Sequence, residues 1–98
     1  MMKFYVASGV PNAEKVQRAA AALAGAGHQR TYDWTRHGDV SKTAPERKRE
    51  VAELEARGVA EAQLVVLLLP GRFGTHAELG VALATSANKR ILLWSETS

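Results

Sequence analysis

The sequence predicts an α/β domain: a parallel sheet of about four strands with helices on both faces. Two observations carry this expectation. Strand-like and helix-like segments alternate along the whole chain, starting with a strand. The 98 residues hold no linker, repeat or low-complexity stretch, so they form a single domain, 1–98. A hydrophobic share of 46% with a net charge of only +3 supplies a packed core and excludes disorder as the main state.

Lys3 to Ser8 is the first strand, β-prone and mostly apolar. Ser8-Gly9-Val10-Pro11-Asn12 turns the chain, with Asn12 as a helix N-cap. The first helix runs to about Ala26, with Val16, Ala19, Ala20 and Leu23 on one face and Gly25 and Gly27 ending it. His28 to Trp34 is the second strand, and Thr35 to Ala44 is polar loop. Pro45 suits the first position of a second helix, which extends to about Ala62. Gln63 to Leu69 is the third strand. The loop Pro70 to Gly74 leads into a third helix from Thr75 to about Asn88, and Arg90 to Trp94 closes the chain as a strand. Right-handed crossovers between such elements give a small flavodoxin-like sheet in the order 2-1-3-4. In such sheets ligands bind at the carboxyl ends of the strands, here after Ser8, Trp34 and Leu69.

Composition removes several function classes. The absence of cysteine excludes disulfides, a thiolate nucleophile and a Cys-based zinc site. His28, His37 and His76 lack metal-ligand spacing, so no metal and no cofactor is expected. The longest apolar run, Leu64 to Leu69, is far short of the ~18 residues of a membrane span. The start of the chain has no leader pattern, and a cytoplasmic location without membrane association is expected. A pI of 9.6 raises the question of a nucleic-acid polymer. Yet Glu46 to Glu61 mixes four basic and five acidic residues at helical spacing, and the other cations are scattered. An anionic small molecule fits that charge better.

Two carboxylates stand out. At 100° per residue, Val51, Leu54, Gly58, Val59 and Ala62 form the apolar stripe of the second helix, and Glu55 falls inside it. Either its side chain reaches water or a basic neighbour at the margin, or it is a carboxyl of raised pKa suited to proton transfer. Glu78 follows Thr75 by three residues, which matches a helix capping box. The alternative is a carboxylate placed at the ligand edge, where it can attack a sugar carbon. Gly71-Arg72-Phe73-Gly74-Thr75 can offer backbone N–H groups and a helix N-terminus to an anion, although it matches neither a P-loop nor the dinucleotide spacing. Ser8-Gly9 offers the same more weakly. Tyr5 is either a core tyrosine or a site residue. Tyr32-Asp33-Trp34 ends the second strand where an aromatic can stack on a base.

Together these segments resemble the nucleoside 2-deoxyribosyltransferase-like family, which includes the 2′-deoxynucleoside 5′-monophosphate N-glycosidases. The resemblance spans nearly the whole chain. It rests on Lys3-Phe4-Tyr5-Val6-Ala7, on Gly27-His28 leading into Thr31-Tyr32-Asp33-Trp34-Thr35, and on Gly58-Val59 through Ala62 into a Leu/Val strand. It is most specific at Gly74-Thr75-His76-Ala77-Glu78-Leu79-Gly80-Val81-Ala82-Leu83, followed by Lys89-Arg90-Ile91-Leu92-Leu93-Trp94. The resemblance implies Glu78 as nucleophile, Tyr5 as the residue that positions it, and Glu55 at the place of the family's usual acid, an Asp. The family's Asp before the third strand is Gln63 here. Pro70-Gly71-Arg72-Phe73-Gly74-Thr75-His76-Ala77-Glu78 is also similar to the Pro-Gly-Gly-x-Gly-Thr-x-x-Glu motif of the cytokinin-activating phosphoribohydrolases, with Arg72 at the second Gly.

The resemblance implies cleavage or transfer at the N-glycosidic bond of a nucleoside or its 5′-monophosphate, through a glycosyl-Glu intermediate. Ser8, Gly9, Asp33, Trp34, Gly74 and Thr75 are the expected substrate contacts. In the transferases a C-terminal segment of a neighbouring subunit helps hold the substrate; this chain runs only to Ser98, so hydrolysis is favoured slightly over transfer. The alternatives are a non-catalytic nucleotide-binding domain of the same fold and a phosphoribohydrolase relative. A homodimer or larger assembly is expected, with apolar surface on the second and third helices covered by a partner.

Overall fold

The computed structural model describes residues 1–36, 42–69, 73–85 and 89–95. Four strands, β1 (Lys3–Ala7), β2 (Gln29–Arg30), β3 (Leu64–Leu69) and β4 (Arg90–Ser95), form one parallel sheet in the expected order β2-β1-β3-β4. Three helices connect them: α1 (Ala13–Gly25), α2 (Pro45–Glu61) and α3 (Phe73–Ala84).

The register separates the two faces of the sheet. Phe4 and Val6 align with Leu64 and Val66, whereas Tyr5 and Ala7 align with Val65 and Leu67. The right-handed rule sends α1 to one face and α2 and α3 to the other, where those two helices pack together. Tyr5 and Val65 lie under α2 and α3. Leu68, two residues on from Val66, faces α1, where it lines a groove with Ala19 and Trp94. The core is built from Phe4, Tyr5, Val6, Val16, Val59, Val65 and Leu67, each at most 1% exposed.

Local chemistry explains how the elements end. The φ of +93° at Gly27 closes α1 in a Schellman arrangement, His28 N–H donating to Leu23 O and Gly27 N–H to Ala24 O. Pro45 opens α2 as expected, preceded by Ala44 in extended conformation. At the end where the strands begin, Gln63 N–H donates to Lys3 O (2.8 Å) and Lys3 N–H to Gln63 Oε1 (3.0 Å).

Three boundaries differ from the sequence expectation. β2 is two residues, not seven, because Asp33 Oδ1 accepts the Thr35 N–H at 3.0 Å and bends the chain into a short 3-10 turn, Trp34–Arg36. Asn12 does not cap α1: its side chain donates to Ser8 Oγ, and a 3-10 turn, Val10–Asn12, precedes the helix. α3 begins at Phe73, two residues early, and ends at Ala84.

Candidate active site

The early start of α3 removes the capping-box reading of Glu78. Thr75 is the third residue of the helix and Glu78 the sixth, so they cannot form a capping box, and Glu78 lies in the second turn rather than the first. Both side chains are buried, at 2% and 7% exposure.

The Glu78 carboxylate instead meets β1. The fully buried Tyr5 donates its hydroxyl to Glu78 Oε2. Glu55 supplies the third group, from α2: it is half-buried and acts on Glu78 both as a like charge and as a hydrogen-bond partner. Three elements therefore bring Tyr5, Glu55 and Glu78 together. The sequence-derived stripe placed Glu55 correctly on the inward face of α2.

The electrostatics follow from burial. Loss of hydration pushes the Glu78 pKa up to about 8 from 4.5; the Tyr5 hydrogen bond opposes the rise, and the Glu55 charge and hydrogen bond add to it. Tyr5 is driven far above the ordinary phenol range by burial and by the Glu78 and Glu55 charges. Its hydroxyl is thus a fixed donor. With its pKa pushed up to about 8, Glu78 favours its protonated form at neutral pH, beside a second carboxyl with which it interacts. A protonated carboxyl next to a second one supplies the kind of groups that bond cleavage with a poor leaving group requires.

The structure commits several predicted substrate contacts to internal bonds. Ser8 Oγ donates to Leu68 O at 2.7 Å, so its hydroxyl proton is already used. Trp34 is 5% exposed, and its Nε1–H donates to Val6 O at 2.7 Å; its ring is part of the core rather than an open stacking surface. Asp33 accepts from Thr35 and lies 3.1 Å from the Arg30 guanidinium. Burial works to raise its pKa, but the Thr35 hydrogen bonds and the Arg30 charge outweigh it and hold the carboxyl below the usual range. Gly9 precedes the first 3-10 turn and accepts from Asn12 N–H, and Gly74 is the second residue of α3. The Gly71-Arg72 part of the proposed anion loop lies outside the described residues.

Two further residues adjoin these three: Tyr32, read from the sequence within the Tyr32-Asp33-Trp34 strand end where an aromatic can stack on a base, and Gly58, read as a member of the apolar stripe. Tyr32 is half-buried, and the Glu55 charge helps burial raise its pKa. Gly58 lies one turn beyond Glu55 on the same helix face, directly against Tyr5 and Tyr32. A glycine inside an apolar helical stripe was the available signal, since it costs about 1 kcal/mol relative to alanine unless something must approach closely.

Among the described residues no group of His, Asp and Glu side chains is arranged to hold a metal ion, and no helix is long and apolar enough to cross a membrane. The sequence matches no protein-family model and no curated protein. Among solved structures, the chain is similar to the CMP N-glycosidase BcmB of Clostridium botulinum, with a TM-score of 0.69 at 18% identity. The match covers 98% of this chain and 71% of that one, and at such low identity it is a likeness of fold.

Proposed function

We propose that the protein cleaves the N-glycosidic bond of a nucleoside or nucleoside 5′-monophosphate, with Glu78 as nucleophile and Glu55 as proton donor to the departing base. One observation carries the reading: a buried carboxylate that accepts the Tyr5 hydroxyl and lies beside a second carboxyl, Glu55. The fold it shares with a CMP N-glycosidase supports the same chemistry.

Each step then has a group to perform it. As the bond from C1′ to the base breaks, its electron pair leaves with the base nitrogen and Glu55 supplies the proton. The positive charge developing at C1′ favours the ionised form of Glu78, drawing its proton toward Glu55 at the moment it is needed. A Glu78 oxygen bonds to C1′, with Tyr5 holding the carboxylate in place. Water then attacks C1′, returns a proton to Glu55 and frees Glu78, as in retaining glycosidases. A second base in place of water would give transfer; hydrolysis is the favoured outcome, in line with the N-glycosidase of the same fold.

A cytoplasmic homodimer or larger assembly belongs to this reading, but the surface for it differs from the expected one. Among the described residues, the exposed large apolar side chains include none from α2; Leu83 of α3 and Leu92, Leu93 and Trp94 of β4 are the ones a second copy would cover.

Incubating the protein with deoxynucleosides, ribonucleosides and their 5′-monophosphates, with and without a second free base, tests the activity. Release of free base from at least one substrate is expected. Binding without release across the whole panel would leave the non-catalytic nucleotide-binding domain as the correct reading.

A further inference from the structure

We propose that Gly58 is a positioning residue: the lack of a side chain there is what lets the Tyr5 ring lie against α2 and keep its hydroxyl on the Glu78 carboxylate. The inference rests on the glycosidase reading only for its effect on rate; its effect on Glu78 itself does not depend on any substrate.

The geometry leaves no room for a methyl group. A Cβ on Gly58 would stand 2.7 Å from Tyr32 Cβ, and 3.1 and 3.2 Å from Tyr5 Cδ2 and Cε2. The first distance is shorter than real side chains tolerate, so something must move. Tyr32 Cβ is attached directly to the backbone and cannot swing aside. The helix cannot simply retreat either. Thr31 Oγ1 donates to Gly58 O at 2.7 Å and lies 3.3 Å from Phe4 O, tying α2 to the same segment that carries Tyr32 and to β1. Tyr5 is fully buried, with its ring edge against Gly58 and its hydroxyl at the far end of the lever on Glu78. Displacing the ring at Cδ2 and Cε2 therefore carries the hydroxyl away from the carboxylate.

Among the described residues, the groups that act on Glu78 are Tyr5 from β1 and Glu55 from α2, with Tyr32 adjoining both. Of these, only the Tyr5 hydrogen bond favours the ionised form of Glu78. Weakening it raises the Glu78 titration midpoint, the same direction as removing the hydroxyl altogether. A second glycine provides the contrast. Gly80 is exposed in α3, and a Cβ there would meet nothing within 4 Å.

The test follows the Glu78 carboxyl carbon by NMR against pH, in a Glu55→Gln background so that one carboxyl titrates. Tyr5→Phe is expected to raise the midpoint by about one pH unit. Gly58→Ala raises it by at least half as much, and adding Gly58→Ala to Tyr5→Phe raises it no further. Gly80→Ala leaves the midpoint unchanged and raises Tm, as alanine does inside an open helix. If Gly58→Ala alone does not fold, pairing it with Tyr32→Gly removes the 2.7 Å contact and keeps those to Tyr5; the raised midpoint persists there. On a confirmed substrate with Glu55 intact, Gly58→Ala lowers kcat and leaves KM within a factor of about two. A folded Gly58→Ala protein with a lower Tm and an unmoved midpoint overturns the proposal, as does full additivity with Tyr5→Phe. Should no substrate be found, the rate comparison fails with the glycosidase reading, and the titration still decides the role of Gly58.

Discussion

Within two turns of α2 the protein draws charge partly or wholly out of water in two opposite ways. At the end of the helix, Lys89 donates its ammonium to the carbonyls of Val59 (2.8 Å), Ala60 (3.1 Å) and Ala62. One cation meets three acceptors where the helix dipole is negative, so the charge is matched even though burial lowers the lysine pKa. One to two turns earlier, Glu55 meets Glu78, and among the described residues the one influence that lowers the Glu78 pKa is a phenol hydroxyl. Like charges are brought together out of water, an arrangement that works against folding. The first site is organised as a stability device requires. The second costs stability, and it fits the proposal of a reactive carboxyl at this place.

Substituting Glu78 separates the two principles most sharply. Glu78→Gln keeps an acceptor for the Tyr5 hydroxyl but removes the oxygen proposed to attack C1′, so base release from a confirmed substrate should fall by several orders of magnitude. Stability should move the other way. The folded protein holds the Glu78 proton to about pH 8, whereas the unfolded chain releases it near 4.5. Wild-type stability is therefore greatest below pH 4.5 from this group, and is lost as pH rises through that window to about 8. Removing the charge should gain on the order of 1–3 kcal/mol at pH 7. Urea unfolding of both proteins from pH 5 to 8 checks this. A variant that loses activity and stability together, with no change in pH slope, would mean that Glu78 is a structural acid.

How much of this was legible in the sequence differs between the same regions. The order 2-1-3-4 follows from alternation and crossover handedness, and Glu55 follows from helical periodicity, because both signals are local and repeat along the chain. The Thr75–Glu78 spacing is equally local but misleading: it copies a capping box, while the helix has already begun at Phe73. Trp34 was legible as an aromatic at a strand end but not in its direction, which depends on Val6 O, 28 residues away. Gly58 was read as a member of the apolar stripe, and the reason for a glycine there lies in Tyr5 and Tyr32, two residues from other parts of the chain. Periodicity shows which face a residue occupies. It does not show which distant atom waits there.

Lys89 tests the other half of the comparison with a smaller effect. Lys89→Met keeps the aliphatic stem and removes the ammonium, leaving the carbonyls of Val59, Ala60 and Ala62 to solvent. A loss of about 2 kcal/mol is expected, since charged hydrogen bonds are worth more than neutral ones and water replaces part of what is removed. Activity per folded molecule should stay within a factor of about two. A Lys89→Met protein as stable as wild type would erase the contrast between a matched and an unmatched charge.

The smallest expected change concerns Trp34, and it bears on where the substrate lies. The side chain is buried and its Nε1–H is bonded to Val6 O at 2.7 Å. Trp34→Phe deletes that donor and part of the indole volume, at a cost of about 1 kcal/mol in chemical denaturation, the usual net value of one such hydrogen bond. If the ring serves the core, KM for a confirmed nucleoside or nucleotide stays near wild type while Tm falls. Stacking on the base would give the opposite pattern, because a phenyl ring keeps much of the core contact and loses stacking area. KM would then rise for every base tested while Tm barely changed. Val6 adjoins Tyr5 but faces the other side of the sheet. Trp34 is therefore anchored to β1 through the backbone of Val6, and a small stability loss without a KM change would place it with Lys89 among the residues that hold the fold around the carboxyl pair.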